Sequence, residues 1–445
     1  MNLIEHIINI AYRLKFGDKR YKYYRQLRRN LGLNRESIVK SQEQAIKELI
    51  NHAYYNTEYY KELFDSLKLK PEQFNKKEDL KLIPILTKTI IQNNLDKLKS
   101  NDKFGKNLIK VTSGGSTGVQ AIVYKSKFTE QFYRAAWLRN NSITGWKPSD
   151  KTAWIWGSPI EHSKLMSSIF SRLGYKINRR IIFNAYNYSK TDFPNWVNEI
   201  IRFRPKVIYG YSSIILEFAK YLIENKIVLP TIERVVSTTE KLVQRETIET
   251  AFRCKAYDQY GCREIIAIGV ENDQGEMLLT DDVVLLDTND SNEFLLTALY
   301  SFGFPLINYK VGDIGTVKND DSIQQRIGNI PFPIMNLKIG RITDNFINNK
   351  NETISTSALS TYMSTLNLGI KEHQIIQKDF NSFNINYVPL KITDSEVYKE
   401  KITKCLEEYF GKKLTIQINE VDIIPKEKSG KRLMFKRDFI IDQKV

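Results

Sequence analysis

No apolar run in the 445 residues approaches the roughly 20 that a helix needs to cross a bilayer. The opening segment places Glu5, His6 and Asn9 where a secretory signal would be unbroken hydrocarbon, so neither spanning nor secretion is expected. Cysteine is scarce: Cys254, Cys262 and Cys405 form an odd, widely spread set that suits a reducing compartment, and the cytoplasm is the expected location. Of the four histidines, His6, His52, His162 and His373, none stands at ligand spacing from another or from a cysteine pair, which excludes an ordinary Cys/His zinc site and leaves oxygen ligands for any metal. Acidic side chains are also short, 51 against 67 basic, for a net charge of +16. Such an excess permits nucleic acid, acidic lipid headgroups or polyphosphate small molecules as partners. Lys, Ile and Asn are abundant along the whole chain, however, so most of the charge reads as solvated surface, and nucleic acid is not an expected partner.

What is present is a globular composition, 42% hydrophobic with 24 Tyr and 22 Phe, long enough for two to four domains. Residues 1–100 read as helical. Ala45, Ile46, Leu49, Ile50, Ala53 and Tyr54 share one helix face, and Ile4, Ile7, Ile8, Ala11 and Leu14 form an earlier stripe. Followed by Lys15, Lys19 and Arg20, that stripe either docks on its own protein or makes, at most, a peripheral contact with an anionic membrane. From 107 to about 320, strand candidates at 107–111, 121–124, 152–156, 180–183, 206–209 and 232–236 alternate with helical patterns at 128–143, 192–203, 211–225 and 240–253. This predicts an α/β layer fold with mostly parallel strands, completed by an antiparallel or barrel-like portion over 265–317. After Gly340 a helix near 393–410, a strand near 414–423 and a basic tail predict a small α+β domain. Residues 345–357 (NFINNKNETISTS) resemble a linker or flexible loop. The expected division is 1–100, 101–340 and 341–445.

The most informative segment is Thr112, Ser113, Gly114, Gly115, Ser116, Thr117 and Gly118, with three glycines and four hydroxyls in seven residues. Glycines let backbone N–H groups approach an anion, and hydroxyls add donors that rotate to fit. No lysine follows the last glycine, and Ala121 to Tyr124 look like a strand, so this is not a Walker loop and lacks the dipole of a following helix. Its positive charge must come from elsewhere. A Ser/Gly-rich surface turn is the plain alternative.

Four further segments follow in order: Tyr260, Gly261, Cys262, Arg263, Glu264; Tyr309 to Asp313 (YKVGD); Gly340, Arg341; and Pro425 to Lys431 (PKEKSGK). Together with the Gly-rich loop they resemble the motifs of the adenylate-forming enzymes, in the phenylacetate–CoA ligase and CapK-like branch. Residues 52–64 and 83–88 are similar to the helical region peculiar to that branch. The resemblance implies a large multi-layer α/β domain with a small mobile C-terminal domain. It also implies activation of a carboxylic acid, aryl or short acyl, by ATP with Mg²⁺ as an acyl adenylate, and transfer to CoA. Carried over, residues 112–118, Tyr260, Gly261, Asp313 and Arg341 would bind ATP, Glu264 would hold the metal, Lys431 would be the catalytic cation, and Thr343 and Asp344 would form the hinge. The residue chemistry agrees: a carboxylate suits Mg²⁺, an aspartate can accept from ribose hydroxyls, and a Ser-Gly-Lys turn projects a compact cation. CapK-like relatives are associated with surface polysaccharide loci, so an amine or hydroxyl acceptor, such as an amino sugar, is the alternative to CoA.

The chain departs from the family pattern in three places. Arg263 stands where a hydroxyl is usual, Thr343 where the hinge aspartate is usual, and 345–357 is polar where phenylacetate ligases keep an apolar stretch. Aromatic residues at 184–188, with Trp154 and Trp156, suit either a flat acyl pocket or plain core.

Overall fold

The computed structural model describes residues 10, 17–112, 122–156, 179–185, 188, 190–318, 330–339, 346–349, 353–354, 356–363, 366, 368, 370–389, 394–424 and 434–439. The chain divides into two compact units, the first comprising residues 1–113, 121–149 and 257–340, the second 114–120, 150–256 and 341–445.

The first unit opens with helices Arg20–Arg29, Arg35–Asn56 and Glu58–Leu67. Asn34 and Thr57 cap the second and third through their side chains. The face read from the sequence is the buried one: Ala45, Ile46, Leu49, Ile50 and Ala53 all point inward. Strands Ile109–Thr112 and Ile122–Lys125 pair antiparallel, and helix Lys127–Ile143 follows. Strand order within the unit is Val284–Thr288, Glu293–Ala298, Tyr309–Lys318, Ile334–Ile339, Met277–Leu279, Gly269–Glu271 and the end of Lys255–Tyr260, and the pairing is antiparallel. This is the antiparallel portion expected from the lack of helix signals. Arg139 and Asp282, both without solvent exposure, join bidentately at 2.7 and 2.9 Å; Asn30 donates to the same carboxylate, and Phe332 lies 4.7 Å from the guanidinium.

In the second unit, strands Arg234–Thr238, Val207–Tyr211, Thr152–Trp156 and Arg180–Asn184 neighbour one another in that order and run parallel. Helices Phe193–Phe203, Ser212–Glu224 and Arg245–Phe252 alternate with them and share one apolar core with the sheet face carrying Ala153, Ile155, Phe183 and Ile208. Residues 346–438 have a core of their own: a four-stranded sheet ordered Thr415–Glu420, Ser382–Pro389, Ile370–Asp379, Phe435–Arg437, with helices Thr356–Met363 and Ser395–Phe410. The fold is therefore mixed α/β with a smaller α/β portion at the C-terminus, as expected.

The described residues within 345–357 differ from the linker reading. Phe346–Ile347 pairs with Thr353–Ile354, Phe346 and Ile354 are core residues, and the buried Gln377 accepts from the Ile347 N–H and donates to its carbonyl. Three apolar residues in a polar segment suffice to anchor a hairpin when a buried amide satisfies its backbone.

Candidate active site

Strand Lys255–Tyr260 ends at Tyr260, and the chain then turns tightly through Gly261 to Ile266. A Cβ on Gly261 would lie 2.8 Å from the Ile266 carbonyl oxygen, so the turn admits no side chain there. Cys262 N–H donates to the Ile265 carbonyl at 2.8 Å, and the Ile265 N–H reaches Cys262 Sγ at 3.4 Å. The turn places Glu264 inside the protein, 4% exposed, and not at an exposed strand start.

Tyr309–Lys318 is interrupted opposite Glu293–Leu295, where Glu293 pairs with Ile314 but Leu295 with Lys310. The extra length is a bulge, with Gly312 at φ +99°. Asp313 thus sits in a bulge within a strand, and the bulge re-aims its side chain. Gly315 closes it, since a Cβ there would lie 2.2 Å from Phe294 Cζ and 2.3 Å from the Asn336 carbonyl oxygen.

The two motifs exchange partners. Tyr260 donates its hydroxyl to Asp313 Oδ2 at 2.8 Å, and Tyr309, fully buried, donates to Glu264 Oε1 at 2.7 Å. Burial, reinforced by the charge of Glu264, holds the Tyr309 phenol well above its usual range, so it remains a donor. Burial, then the charge of the nearby Glu264 carboxylate, raise the Cys262 thiol well above its usual value, which makes it a poor nucleophile. The Tyr260 ring belongs to the core, with Phe294 at 6.1 Å.

Thr112 ends the strand that enters the Gly-rich loop and pairs with Ile122 across the hairpin, so the loop joins strand to strand. Arg263 Nη1 donates to the Thr112 carbonyl at 3.4 Å, which puts a guanidinium at the base of that loop. Sequence reading missed Lys125 and the role of Tyr309. Lys125, 5% exposed, donates to the Arg263 carbonyl at 2.7 Å and lies 3.7 Å from Glu130. Burial pulls its pKa down, with Glu130 opposing. Its signal was available, because Lys125 shares the inward phase of its strand with Val123.

Of the residues carried over from the family motifs, Thr112, Tyr260, Gly261, Glu264 and Asp313 come together in the first unit. Ser113, Gly114, Gly115, Ser116, Thr117, Gly118, Arg341, Thr343, Asp344 and Lys431 lie outside the described residues. Among the described residues no group of three or more acidic, His or Cys side chains forms a metal cage. Glu264 offers one buried carboxylate with Oε1 engaged by Tyr309. This fits Mg²⁺ only in the way that ion is often held, by one or two carboxylates with phosphate oxygens and water.

The aromatic residues separate by strand alternation. Tyr188 packs with Phe193 and Trp196 in the helix-covered core. Trp154, Trp156 and Tyr209 share the opposite sheet face; Trp154 and Tyr209 centroids are 4.5 Å apart, the Arg180 guanidinium lies 3.4 Å from the Trp154 ring centre, and Trp156 stacks at 5.1 Å on Tyr211, which belongs to the helix-covered core.

Residues 346–438 match the family model of the CapK C-terminal domain. The chain is 25% identical over 428 residues to Protein CapK of Staphylococcus aureus, covering 94% of this chain and 93% of the relative. Its fold is similar to that of 2-hydroxyisobutyryl-CoA ligase. The structure of that ligase with 2-HIB-AMP and CoA in the thioesterification state aligns at TM-score 0.57 and 16% identity over 92% of each chain. The postadenylation state with R3-HIB-AMP aligns at TM-score 0.55 and 16% identity over 94% of this chain and 92% of the other. In sequence the chain thus resembles Protein CapK, with residues 346–438 matching the CapK C-terminal domain, and in fold it resembles an acyl-CoA ligase.

Proposed function

We propose that the protein is an AMP-forming carboxylate ligase that activates an aryl or short acyl acid with ATP and passes the acyl group to CoA. The observation that carries this reading is the exchange of hydrogen bonds, Tyr260 to Asp313 and Tyr309 to Glu264, which joins two motifs far apart in sequence beside the start of the Gly-rich loop. In the first half-reaction a carboxylate oxygen attacks the α-phosphorus of ATP. A new P–O bond forms, the bond to the β-phosphate bridge breaks, and pyrophosphate leaves with no proton transferred. In the second, the acceptor S–H adds to the acyl carbonyl, gives up its proton, and AMP departs.

Each residue then has a limited task. Backbone and hydroxyl donors of residues 112–118 receive phosphate oxygens, and Arg263 adds the cation that the loop lacks. Asp313, oriented by Tyr260 through Oδ2, accepts from ribose hydroxyls. Arg341 belongs to the same nucleotide site, and Thr343 and Asp344 form the hinge about which the C-terminal part moves. Tyr309 holds Glu264 for a divalent cation, and Mg²⁺, when bound, supplies charge neutralisation at the phosphates. Lys431 delivers a cation to the α-phosphate in the adenylating arrangement. Such fixed charges stabilise the transition state without reorganising. The aromatic face of Trp154, Trp156 and Tyr209 supports a flat acyl group.

A second reading, with an amine or hydroxyl acceptor in place of CoA, is favoured by the similarity to Protein CapK along nearly the whole chain. Pyrophosphate release from ATP and Mg²⁺, measured against a panel of aryl, short-chain and amino acids with and without CoA, separates the readings. Release triggered by one acid and turned over with CoA, yielding a thioester, supports the first. A single stoichiometric burst unchanged by CoA supports the second. Silence across a broad panel, with no exchange of labelled pyrophosphate into ATP, counts against adenylation itself.

A further inference from the structure

Helix Arg20–Arg29 has two unlike faces. Tyr21, Tyr24 and Leu27 are buried, and Tyr23 packs against Phe128 and Phe132 with centroids 5.6 Å away in each case. On the outer side, Lys22, Arg25 and Arg29 recur at i, i+3 and i+7, all exposed, with Arg28 exposed beside them and Lys19 exposed just before the helix. Among the described residues none of these five cations has an ion-pair partner, and the neighbouring carboxylates are already matched: Asp18 holds Arg20 at 2.6 Å, and Glu130 holds Arg134 and Lys125. Other exposed helices of this chain interleave the signs, as in Glu36–Lys40, Lys61–Asp65, Glu199–Arg202 and Glu396–Lys399. Like charges three and four residues apart cost a helix a few tenths of a kcal/mol per pair, so stability does not account for this stripe.

Upstream in the sequence lies the apolar stripe Ile4, Ile7, Ile8, Ala11 and Leu14, followed by Lys15. Ile10, the one residue of 1–16 that is described, is helical and 42% exposed. A single weak apolar signal binds bilayers marginally, and a polybasic neighbour is the second signal that makes such binding stable on anionic lipid. A groove for single-stranded nucleic acid would instead turn aromatic rings outward for bases to stack on, whereas Tyr21 and Tyr24 of this helix face inward.

We propose that the outer face of helix Arg20–Arg29 docks on an anionic lipid surface, with Lys22, Arg25, Arg28 and Arg29 meeting the headgroups. The contact is peripheral and salt-sensitive, and it does not depend on which acid or acceptor the enzyme uses.

The test is co-sedimentation of the full chain with vesicles of phosphatidylcholine alone and of phosphatidylcholine with about one third phosphatidylglycerol, in the same salt series. Binding is expected to the anionic vesicles only, and to be lost at high salt. The variant K22Q/R25Q/R29Q should partition roughly 10²-fold more weakly, at about one order of magnitude per one to two cations removed. A control neutralising the exposed Lys47, Lys412 and Lys413 should change partition by no more than a few-fold, and both variants should melt like the parent. Equal binding to both vesicle types, or a helix variant indistinguishable from the control, would overturn the proposal. So would retention of a short DNA duplex, lost in the helix variant, without vesicle binding, since the stripe would then serve a different polyanion.

Discussion

At the scale of single residues, the most consequential is Glu264, one carboxylate among the described residues placed in a turn that its neighbours fix from three sides. Glu264→Gln keeps the shape and the Tyr309 bond but removes the charge. Acid-dependent pyrophosphate release should fall roughly 10²- to 10³-fold while the melting temperature stays within a few degrees. A variant turning over at the parental rate would remove Glu264 from the chemistry. Arg263 makes a different prediction. A guanidinium serving phosphate contributes charge-assisted hydrogen bonds, so Arg263→Ala should weaken ATP binding about 10- to 100-fold and leave adenosine binding unchanged. Calorimetric titration with both ligands reads this, and parallel losses for the two would mean the arginine acts only through the fold. Glu264 was legible in the sequence because a motif surrounds it. The inward phase of Lys125 could be read from its strand, but its partner, like that of Tyr309, could not, because both are set by which strand comes alongside Arg263 and Glu264, a contact between distant segments that local pattern does not encode.

At the scale of elements, alternation and helical spacing placed most strands and helices within two or three residues. Strand 152–156 and helix Ser395–Phe410 lie where period and turn signals put them. The bulge at Asp313 and the hairpin at 346–354 escaped that reading, since one depends on a change of register and the other on Gln377 in another strand. Strand Ile370–Asp379 carries its own pH dependence. His373 is 2% exposed, sits across from Tyr387, has no hydrogen-bond partner among the described residues on either ring nitrogen, and burial lowers its pKa from 6.5 to about 4. Below pH 6.5 the unfolded chain takes up a proton that the folded ring refuses until about pH 4. The stability of this part of the chain should therefore be full above pH 6.5 and decline as pH falls across that window. His373→Leu should remove the decline. Denaturant titrations at pH 7 and pH 5, followed by a probe within residues 346–438, would reveal it as a midpoint shift present in the parent and absent in the variant.

At the scale of the whole molecule, the sequence yields the pieces better than their grouping. The chain leaves the first unit after Ser149 and returns at Tyr257, and nothing local announces the return, because it is made by the antiparallel pairing of Gln259 and Tyr260 with Val270 and Gly269 and by the sealed Arg139–Asp282 pair. The net charge of +16 conveys even less taken as a total; its information lies in where cations go unmatched. Lys431 belongs at this scale, since in the proposed reaction it acts from a part of the chain remote in sequence from Glu264 and Asp313. Lys431→Ala should lower adenylation roughly 10²- to 10³-fold with ATP affinity little changed, because the contact is made chiefly in the transition state. It should spare the second half-reaction when acyl adenylate is supplied directly, and an equal loss in both halves would place the lysine in substrate binding.

The crossed pairing of Tyr260 with Asp313 and Tyr309 with Glu264 also bears on how the chain can change over generations. Two carboxylates and two phenols form two hydrogen-bonded pairs across motifs more than forty residues apart, so an apolar side chain at any of the four positions leaves a polar group of the other motif without its partner. Drift at these four positions should therefore be correlated: a lineage that has given up adenylation and lost the acid at 264 should carry phenylalanine at 309, while the 260–313 pair survives or disappears together.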